Sequence, residues 1–599
     1  MKNQTFNPPS LQEWQEAAEK ALKGRGIETL HTKTYEGINL KPLYTEEDLP
    51  AINRVEAYIP GADGKISMIN EWKIAQKLTR KTWQDLSQAL LGAVSRGQNC
   101  LAFSMGSLEL DQGFDSFING FAGGSLPLFN IEKNNTALVD RLSDMAEENV
   151  SLKKLKGVIG FDPLSETGFA DGEYNLAEWA DKVTAAAGNL PDIKTIVINT
   201  SPYHNAGSNA VQDLTYALST GVWYFERLQE KGWSPEQIAK KVHVHFSVGS
   251  HFFMEAAKIR AFKKLWKDML ASYGISKETC DGCISVSAET SHFNKSGLDQ
   301  HVNLLRSGGE AFSAVLAGVD YLMVHPFDTV KGETGMFSER IARNIQLILG
   351  EEAHLNKVVD PAGGSYFLEW LTEEAGRLAW QEFQRIDRDG GIAASLKAGK
   401  IQESVRKVCE ERLADLSTRT QSMIGTNIYA NPEDSLSGVE VGDEDRLSLP
   451  FERLRRRTEK LAMSGRKPAA GIIGLGELKS HKPRADYVSG FLSTGGILSH
   501  LSPGCSTKED ILHFIEETNY PYYVVCGKDE EYDEWLPLIL ETASNYHSQI
   551  KMDIAGKVSE MKMSEWKQLG LNGCIYHKQN MLDKLNSLIT MWEEENRND

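Results

Sequence analysis

Tyr203 and His204 stand together in the run VINTSPYHNAGS, directly after a β-branched segment. At the C-terminal end of a parallel strand, a phenol and an imidazole can steer hydrogen transfer or bond a substrate carbonyl. The plainer alternative is a pair of satisfied polar groups in a loop. His243 and His245, in KVHVHFSV, project to one side of a strand because strand side chains alternate with a period of two. That spacing suits a divalent metal, and His325 with Asp328 could complete the ligand set of a metal-dependent hydrolase. Against it stands the reading of two interior imidazoles bonded to neighbouring strands. Cys280-Asp-Gly-Cys283 is a lone C-x-x-C, without the second pair that zinc sites carry, at the expected entry to a strand. Gly471-Ile-Ile-Gly474-Leu-Gly476 follows a strand start but is not G-x-G-x-x-G, and Pro483 interrupts the place where a phosphate-binding helix should begin. It reads as a tight turn, and so does Asp360-Pro-Ala-Gly-Gly-Ser365-Tyr366.

Something must position these residues. From about Glu71, short apolar or β-branched runs alternate with amphipathic stretches, the pattern of repeated βα units. Eight strands are expected: 72–76, 99–104, 126–129, 157–161, 195–199, 242–248, 283–288 and 321–325. Eight strands with intervening helices over roughly 280 residues fit a (β/α)8 barrel better than an open sheet. Ahead of them, Ser10 with Glu13 predicts a capped helix from Leu11 to about Lys23, followed by a polar, acidic arm to Pro60. Long charged amphipathic patterns (369–388, 402–417, 452–463) make residues 351–466 a helical region, with an acidic surface loop at 431–449. Five further strand runs, spaced 22 to 29 residues apart from Pro468 onward, suit a doubly wound terminal domain. The expected divisions are 1–70, 71–350, 351–466 and 467–599.

A chain of 599 residues exceeds one hydrophobic core, and 41% hydrophobic with 25% charged residues is ordinary for a folded soluble protein. The net charge of -18 disfavours attachment to nucleic acid or anionic membrane, so proteins and small molecules are the expected partners. Seven scattered cysteines do not form a disulfide framework and fit a reducing cytoplasm. MKNQTFNPPSLQEW has no apolar signal core, and neither secretion nor a membrane span is expected.

Several stretches resemble the coenzyme B12-dependent acyl-CoA mutases, methylmalonyl-CoA mutase above all. The resemblance runs from about residue 30 to the end. It is densest in Tyr203-His204 through Ala206-Gly207, in Phe252-Phe253-Met254-Glu255-Ala256-Ala257-Lys258 with Trp266, and in Thr290-Ser291. It recurs in Ser338 to Gln346 (SERIARNIQ) and in Asp360-Pro361 with Gly363-Gly364-Ser365-Tyr366. It implies an N-terminal arm, a (β/α)8 barrel, a helical linker and a flavodoxin-like cobalamin domain. Active chains of that family rearrange (R)-methylmalonyl-CoA and succinyl-CoA with adenosylcobalamin, whose cobalt is ligated by the His of D-x-H-x-x-G. None of the fourteen histidines here completes that motif; Asp299-Gln-His301 comes nearest, and His481 is a poor ligand candidate. The family's R-Q-Y-A-G-F-S segment is replaced by Glu71-Trp72-Lys-Ile-Ala-Gln76-Lys-Leu78. Tyr203 and His204 match the substrate-binding Tyr-His pair but stand beside two missing sites, and are expected to be vestigial. No catalytic, cofactor-binding or metal residue is therefore expected on this chain. The pattern implied is the small subunit of a heterodimeric mutase, with adenosylcobalamin held by a large catalytic partner; the alternative is an autonomous acyl-CoA mutase with altered cobalamin binding. The N-terminal arm is the expected contact with that partner.

Overall fold

The computed structural model of the protein describes residues 9–49, 70–133, 135–169, 176–332, 334–439 and 446–598. Helix α1 (Leu11–Ala21) carries the expected Ser10–Glu13 capping box, and none of its residues is buried. A short antiparallel hairpin follows, β1 (Thr32–Lys33) with β2 (Asn39–Leu40). This part of the arm, expected to contact a partner, is fastened to its own chain. Tyr44 packs on Phe367 and Trp370, each at 4.9 Å, and Tyr35 donates to Asp415 at 2.8 Å. Residues 50–69 of the arm lie outside the described residues.

The expected alternation begins with β3 (Lys73–Ile74), α2 (Trp83–Val94), β4 (Leu101–Ala102), α3 (Gln112–Phe121), β5 (Leu128–Ile131) and α4 (Thr136–Glu148). It continues with β6 (Gly157–Gly160), α5 (Pro163–Phe169), α6 (Leu176–Ala186), β7 (Ile193–Lys194) and β8 (Ile196–Asn199). Next come α7 (Ser201–Asn205), α8 (Ala210–Glu230), α9 (Pro235–Lys241), β9 (Val242–Val248), α10 (Phe252–Ser272) and α11 (Lys277–Cys283). The run closes with β10 (Val286–Thr290), α12 (Val302–Leu316), β11 (Tyr321–Met323) and α13 (Met336–Leu347).

These strands form two parallel sheets, ordered β3-β11-β10-β9-β8 and β4-β5-β6-β7. The sheets meet at both ends. Only Thr195 separates β7 from β8, and Leu78 forms a parallel bridge to Phe103. Strand β9 explains the local logic, since all seven of its residues are buried. Val242, Val244, Phe246 and Val248 pack into the large core with the helices, while His243, His245 and Ser247 occupy the other face. On that inner side Ala75, Cys100, Ala102, Phe129, Val158, Val197 and Tyr321, drawn from both sheets, make one apolar cluster. Phe129 stacks on Tyr321 at 5.1 Å and stands edge-on to His243 at 6.1 Å. Residues of β5, β9 and β11 therefore meet through their side chains, although these strands are not neighbours in either sheet.

One boundary differs from the sequence reading. Cys280 and Cys283 belong to α11, which Ser276 caps by accepting from the Thr279 N–H, and β10 starts at Val286 instead of Cys283. Seven residues are too few to display a helical period.

The helical region contains α14 (Tyr366–Arg388), α15 (Gly391–Lys397), α16 (Lys400–Ser417) and α17 (Leu449–Met463). Beyond it lie β12 (Ala469–Gly474), α18 (Leu478–Thr494), β13 (Leu498–Leu501), α19 (Lys508–Thr518) and β14 (Tyr522–Cys526). The chain ends with α20 (Asp529–Tyr546), β15 (Lys551–Ala555), α21 (Glu560–Gln568), β16 (Gly573–Ile575) and α22 (Met581–Asn598). The third sheet is parallel throughout, in the order β13-β12-β14-β15-β16. Pro483 does not interrupt α18; it sits in the second turn, where its missing N–H leaves only the carbonyl four residues earlier without a helical donor. Buried polar bonds join this part to the first: Ser448 donates to the Lys295 carbonyl at 2.8 Å, and the Gly297 N–H to Glu452 at 2.9 Å. Among the described residues no helix is long and apolar enough to cross a membrane.

Candidate functional site

Tyr203 and His204 lie on α7, a one-turn helix at the C-terminal end of β8, with Pro202 setting its first turn. The two side chains part company there. Tyr203 is buried against Tyr216 of α8 at 4.9 Å, and burial pushes its phenol well above the ordinary range. It is a core residue. His204 turns the other way, with Nε2 2.9 Å from Ser291 Oγ and Nδ1 3.3 Å from Asp213 Oδ2.

Asp213 lies on the inner face of α8, whose start is fixed by an Asn209–Gln212 capping box. It also accepts from the Ser208 hydroxyl and, at 3.0 Å, from Lys258 Nζ. Lys258 in turn donates to the Ser247 carbonyl at 2.8 Å and lies 2.5 Å from Glu255. Burial would raise the Asp213 carboxyl, but Lys258, His204 and Ser208 together hold it below the ordinary range. Burial would likewise lower Lys258, yet the two carboxylates keep its ammonium above the usual value. The set has Ser–His–Asp connectivity, but Ser291 is 0% exposed and Asp213 is shared with a buried cation.

The chain closes over this network. The guanidinium of Arg412, on α16, lies 4.6 Å from the Tyr35 ring and 6.0 Å from Phe293, which packs edge-on to His204 at 6.3 Å. Asn209 donates to the Tyr35 carbonyl at 2.8 Å, and the Ala210 N–H to Glu36 at 3.2 Å.

His243 and His245 form a second buried cluster on the inner side of β9. His243 is 2.8 Å from Ser285 Oγ and 2.6 Å from Ser287 Oγ, and His245 Nδ1 is 2.6 Å from that same Ser287 hydroxyl. Glu289, which the sequence did not single out, is approached by His325 at 3.1 Å and His245 at 3.5 Å. Burial alone would raise Glu289; hydrogen bonds from these two histidines hold it well below the ordinary range. His292 packs on His325 at 3.9 Å. Asp328, offered as a fourth ligand, instead accepts from the Gly335 N–H at 3.2 Å. Among the described residues no three His, Cys, Asp or Glu side chains are arranged to hold a metal ion.

The remaining candidates have structural surroundings. Burial raises both the Cys280 and Cys283 thiols, the opposite of an activated pair. The Asp360–Tyr366 turn is held by Arg260 of α10, which reaches Asp360 at 2.5 Å and Glu369 at 2.9 Å, and its Ser365 caps α14. His481 is buried within α18, its Nδ1 3.1 Å from the Leu475 carbonyl. A Cβ on Gly474 would come within 2.6 Å of its ring, so the glycine is what lets the imidazole fill the end of β12.

A network built by His204, Glu255, Lys258 and Ser291 uses the segments in which the resemblance is densest. The methylmalonyl-CoA mutase family profile matches residues 131–464, more than half of the chain. The chain belongs to that family. A methylmalonyl-CoA mutase small subunit of Porphyromonas gingivalis is 29% identical over 614 positions, covering 97% of each chain. One from Streptomyces virginiae is 27% identical, covering 85% of this chain and 84% of its own. The methylmalonyl-CoA mutase of Escherichia coli is 28% identical, over 76% of this chain and 70% of its own length.

Two predictions follow from these mutase-family networks. Replacing Lys258 by Met strands Asp213 and Glu255 without their cation, and should cost about 3–5 kcal/mol of unfolding free energy in a urea titration. A loss below about 1 kcal/mol would mean that the network does not hold the fold. Burial, with neighbouring cations, also depresses the His243 and His292 imidazoles well below the ordinary 6.5. As pH falls through that value the unfolded chain takes up protons at these sites and the folded chain does not, so stability falls with acidification. Between about pH 6.5 and 5.5 the His243→Asn variant should lose about 1 kcal/mol less than the wild type. Equal losses would contradict the assignment.

Proposed function

We propose that this chain is the non-catalytic small subunit of a heterodimeric, adenosylcobalamin-dependent methylmalonyl-CoA mutase. Its role is to fold against and stabilise a large catalytic subunit, which binds the cofactor and interconverts (R)-methylmalonyl-CoA and succinyl-CoA. The two N-terminal sheets are read as one (β/α)8 barrel over residues 71–350, supported by the Thr195 junction and the Leu78–Phe103 bridge. The third sheet, ordered 2-1-3-4-5 over residues 467–599, is read as a flavodoxin-like, degenerate cobalamin domain. Residues 1–70 form the arm and 351–466 the helical linker.

The observation that carries this reading is the commitment of the inner face to its own packing. Phe129, Tyr321 and His243 meet there, where an acyl-CoA chain would need an open axis. Tyr203 and His204 are vestigial on the same argument, one turned into the core and the other tied to Asp213 and Ser291. The C-terminal domain gives parallel support. His481, buried on its own backbone, does not fit cobalt ligation, and Arg484 occupies the adjoining strand ends through the Gly527 carbonyl at 2.7 Å and Asp529 at 2.7 Å. No step of a cobalamin mechanism is assigned to this chain. A cytoplasmic setting is supported by seven cysteines without a disulfide among the described residues.

Titration with adenosylcobalamin tests the assignment of the cofactor. The lone chain should give no saturable change in the corrin spectrum, whereas the complex with the large chain should bind one equivalent per heterodimer. Saturable binding of one equivalent by the lone chain would overturn the assignment.

A further inference from the structure

A buried arginine without an acceptor is costly, because a guanidinium cannot escape the interior by losing its proton. Arg343, on the buried face of α13, is 4% exposed and donates no hydrogen bond to any described residue, and its Nε is wholly buried. The carboxylate next to it on the helix is committed elsewhere: Glu339, one turn earlier, accepts from Arg80 with both oxygens, at 2.9 and 2.8 Å. Burial, Arg96 and Arg340 all lower the Arg343 guanidinium below the ordinary value, and Glu339 alone opposes them. Arg96 comes from α2. Its guanidinium folds back over Gly92, where a Cβ would come within 3.0 Å of it, and a Cβ on Gly97 would come within 2.9 Å of Leu347 on α13. The two helices therefore bring Arg96 and Arg343 to one junction. Gln346, one turn beyond Arg343 on the same face, is 0% exposed, and neither atom of its amide has a partner.

The charges at this junction select an anion. Arg80, Arg96, Arg340 and Arg343 stand against two carboxylates, Glu339 and, on the Arg80 side, Asp85. That leaves an excess of two positive charges in a chain whose net charge is -18. Guanidinium groups pair with oxyanions through parallel N–H donors, and a dianion balances the excess where a single carboxylate leaves half of it. Arg343 also lies below the surface, within reach of a small ion. The Gln346 amide narrows the choice further, since it offers one donor and one acceptor, and its acceptor needs a proton that the anion itself carries. Inorganic phosphate keeps such a proton at neutral pH. Sulfate has none, and a phosphomonoester, with a second pKa of about 6, has lost it. We infer that the junction of α2 and α13 is a binding site for inorganic phosphate, held by Arg96, Arg343 and Gln346. It shares no residue with the His204 and Glu289 networks and does not depend on the subunit reading.

The test is calorimetric titration of the full chain with sodium phosphate at constant ionic strength. One equivalent should bind saturably, with sulfate and glycerol 3-phosphate at least about 10-fold weaker. Arg96→Gln, at an exposed position, should weaken phosphate at least about 10-fold, whereas Arg453→Gln, at an exposed arginine of α17, should bind as the wild type does. Melting curves give a second readout. Without phosphate, Arg343→Gln should melt above the wild type, because an unpaired buried charge is gone; added phosphate should raise the melting temperature of the wild type and not of this variant. Absence of saturable phosphate binding by the wild type, or undiminished binding in both Arg96→Gln and Arg343→Gln, would overturn the site. Sulfate or the ester bound as tightly as phosphate would overturn the choice of ligand. A phosphate-free Arg343→Gln that melts below the wild type would mean that the protein itself holds this charge, and would contradict the inference.

Discussion

The ion pair between Asp213 and Lys258 is the constraint around which the first half of the molecule is arranged. Both side chains are 0% exposed, and neither charge could stay in the interior without the other. Their partners come from separate elements: His204 from α7, Ser247 from β9, Glu255 from α10 and Ser291 from the end of β10. One buried pair therefore fixes how α8 and α10 lie on the strands and where the β8 and β10 loops end. It also orients His204, the residue whose type and position most suggested catalysis.

The same network satisfies the polar groups of His204 within the protein. A catalytic imidazole needs one nitrogen directed at a substrate, and both nitrogens of His204 face protein. Tyr35, Arg412 and Phe293 layer over it, so part of the arm covers this imidazole. In the C-terminal domain His481 is likewise spent on the backbone that surrounds it.

Much of this was legible in the residues, for identifiable reasons. Strand 522–526 (YYVVC) is a continuous apolar run because both faces are buried, and 242–248 (VHVHFSV) alternates apolar residues with His and Ser at a period of two; both signals survive without any knowledge of neighbours. Helices with capping residues and long amphipathic faces were equally plain. What was hidden depends on contacts distant in sequence. Asp213 reads as one more polar residue of a helix until the helix is rotated against Lys258, 45 residues on. Glu289 could have been suspected from SVSAET, where a carboxylate shares the inward face with Ser285 and Ser287, but its histidine partners are distant in sequence, His245 on β9 and His325 just beyond β11. The arm looked unattached because it lacks periodicity; its anchors are single aromatic rings, Tyr35 and Tyr44, whose partners lie more than 300 residues away.

Mutase turnover separates this account from its rivals most directly. The chain would be supplied with adenosylcobalamin and (R)-methylmalonyl-CoA, alone and after co-expression with the large chain, and succinyl-CoA formation followed. The account predicts no turnover by the lone chain and turnover by the pair. Succinyl-CoA formed by the lone chain would contradict it.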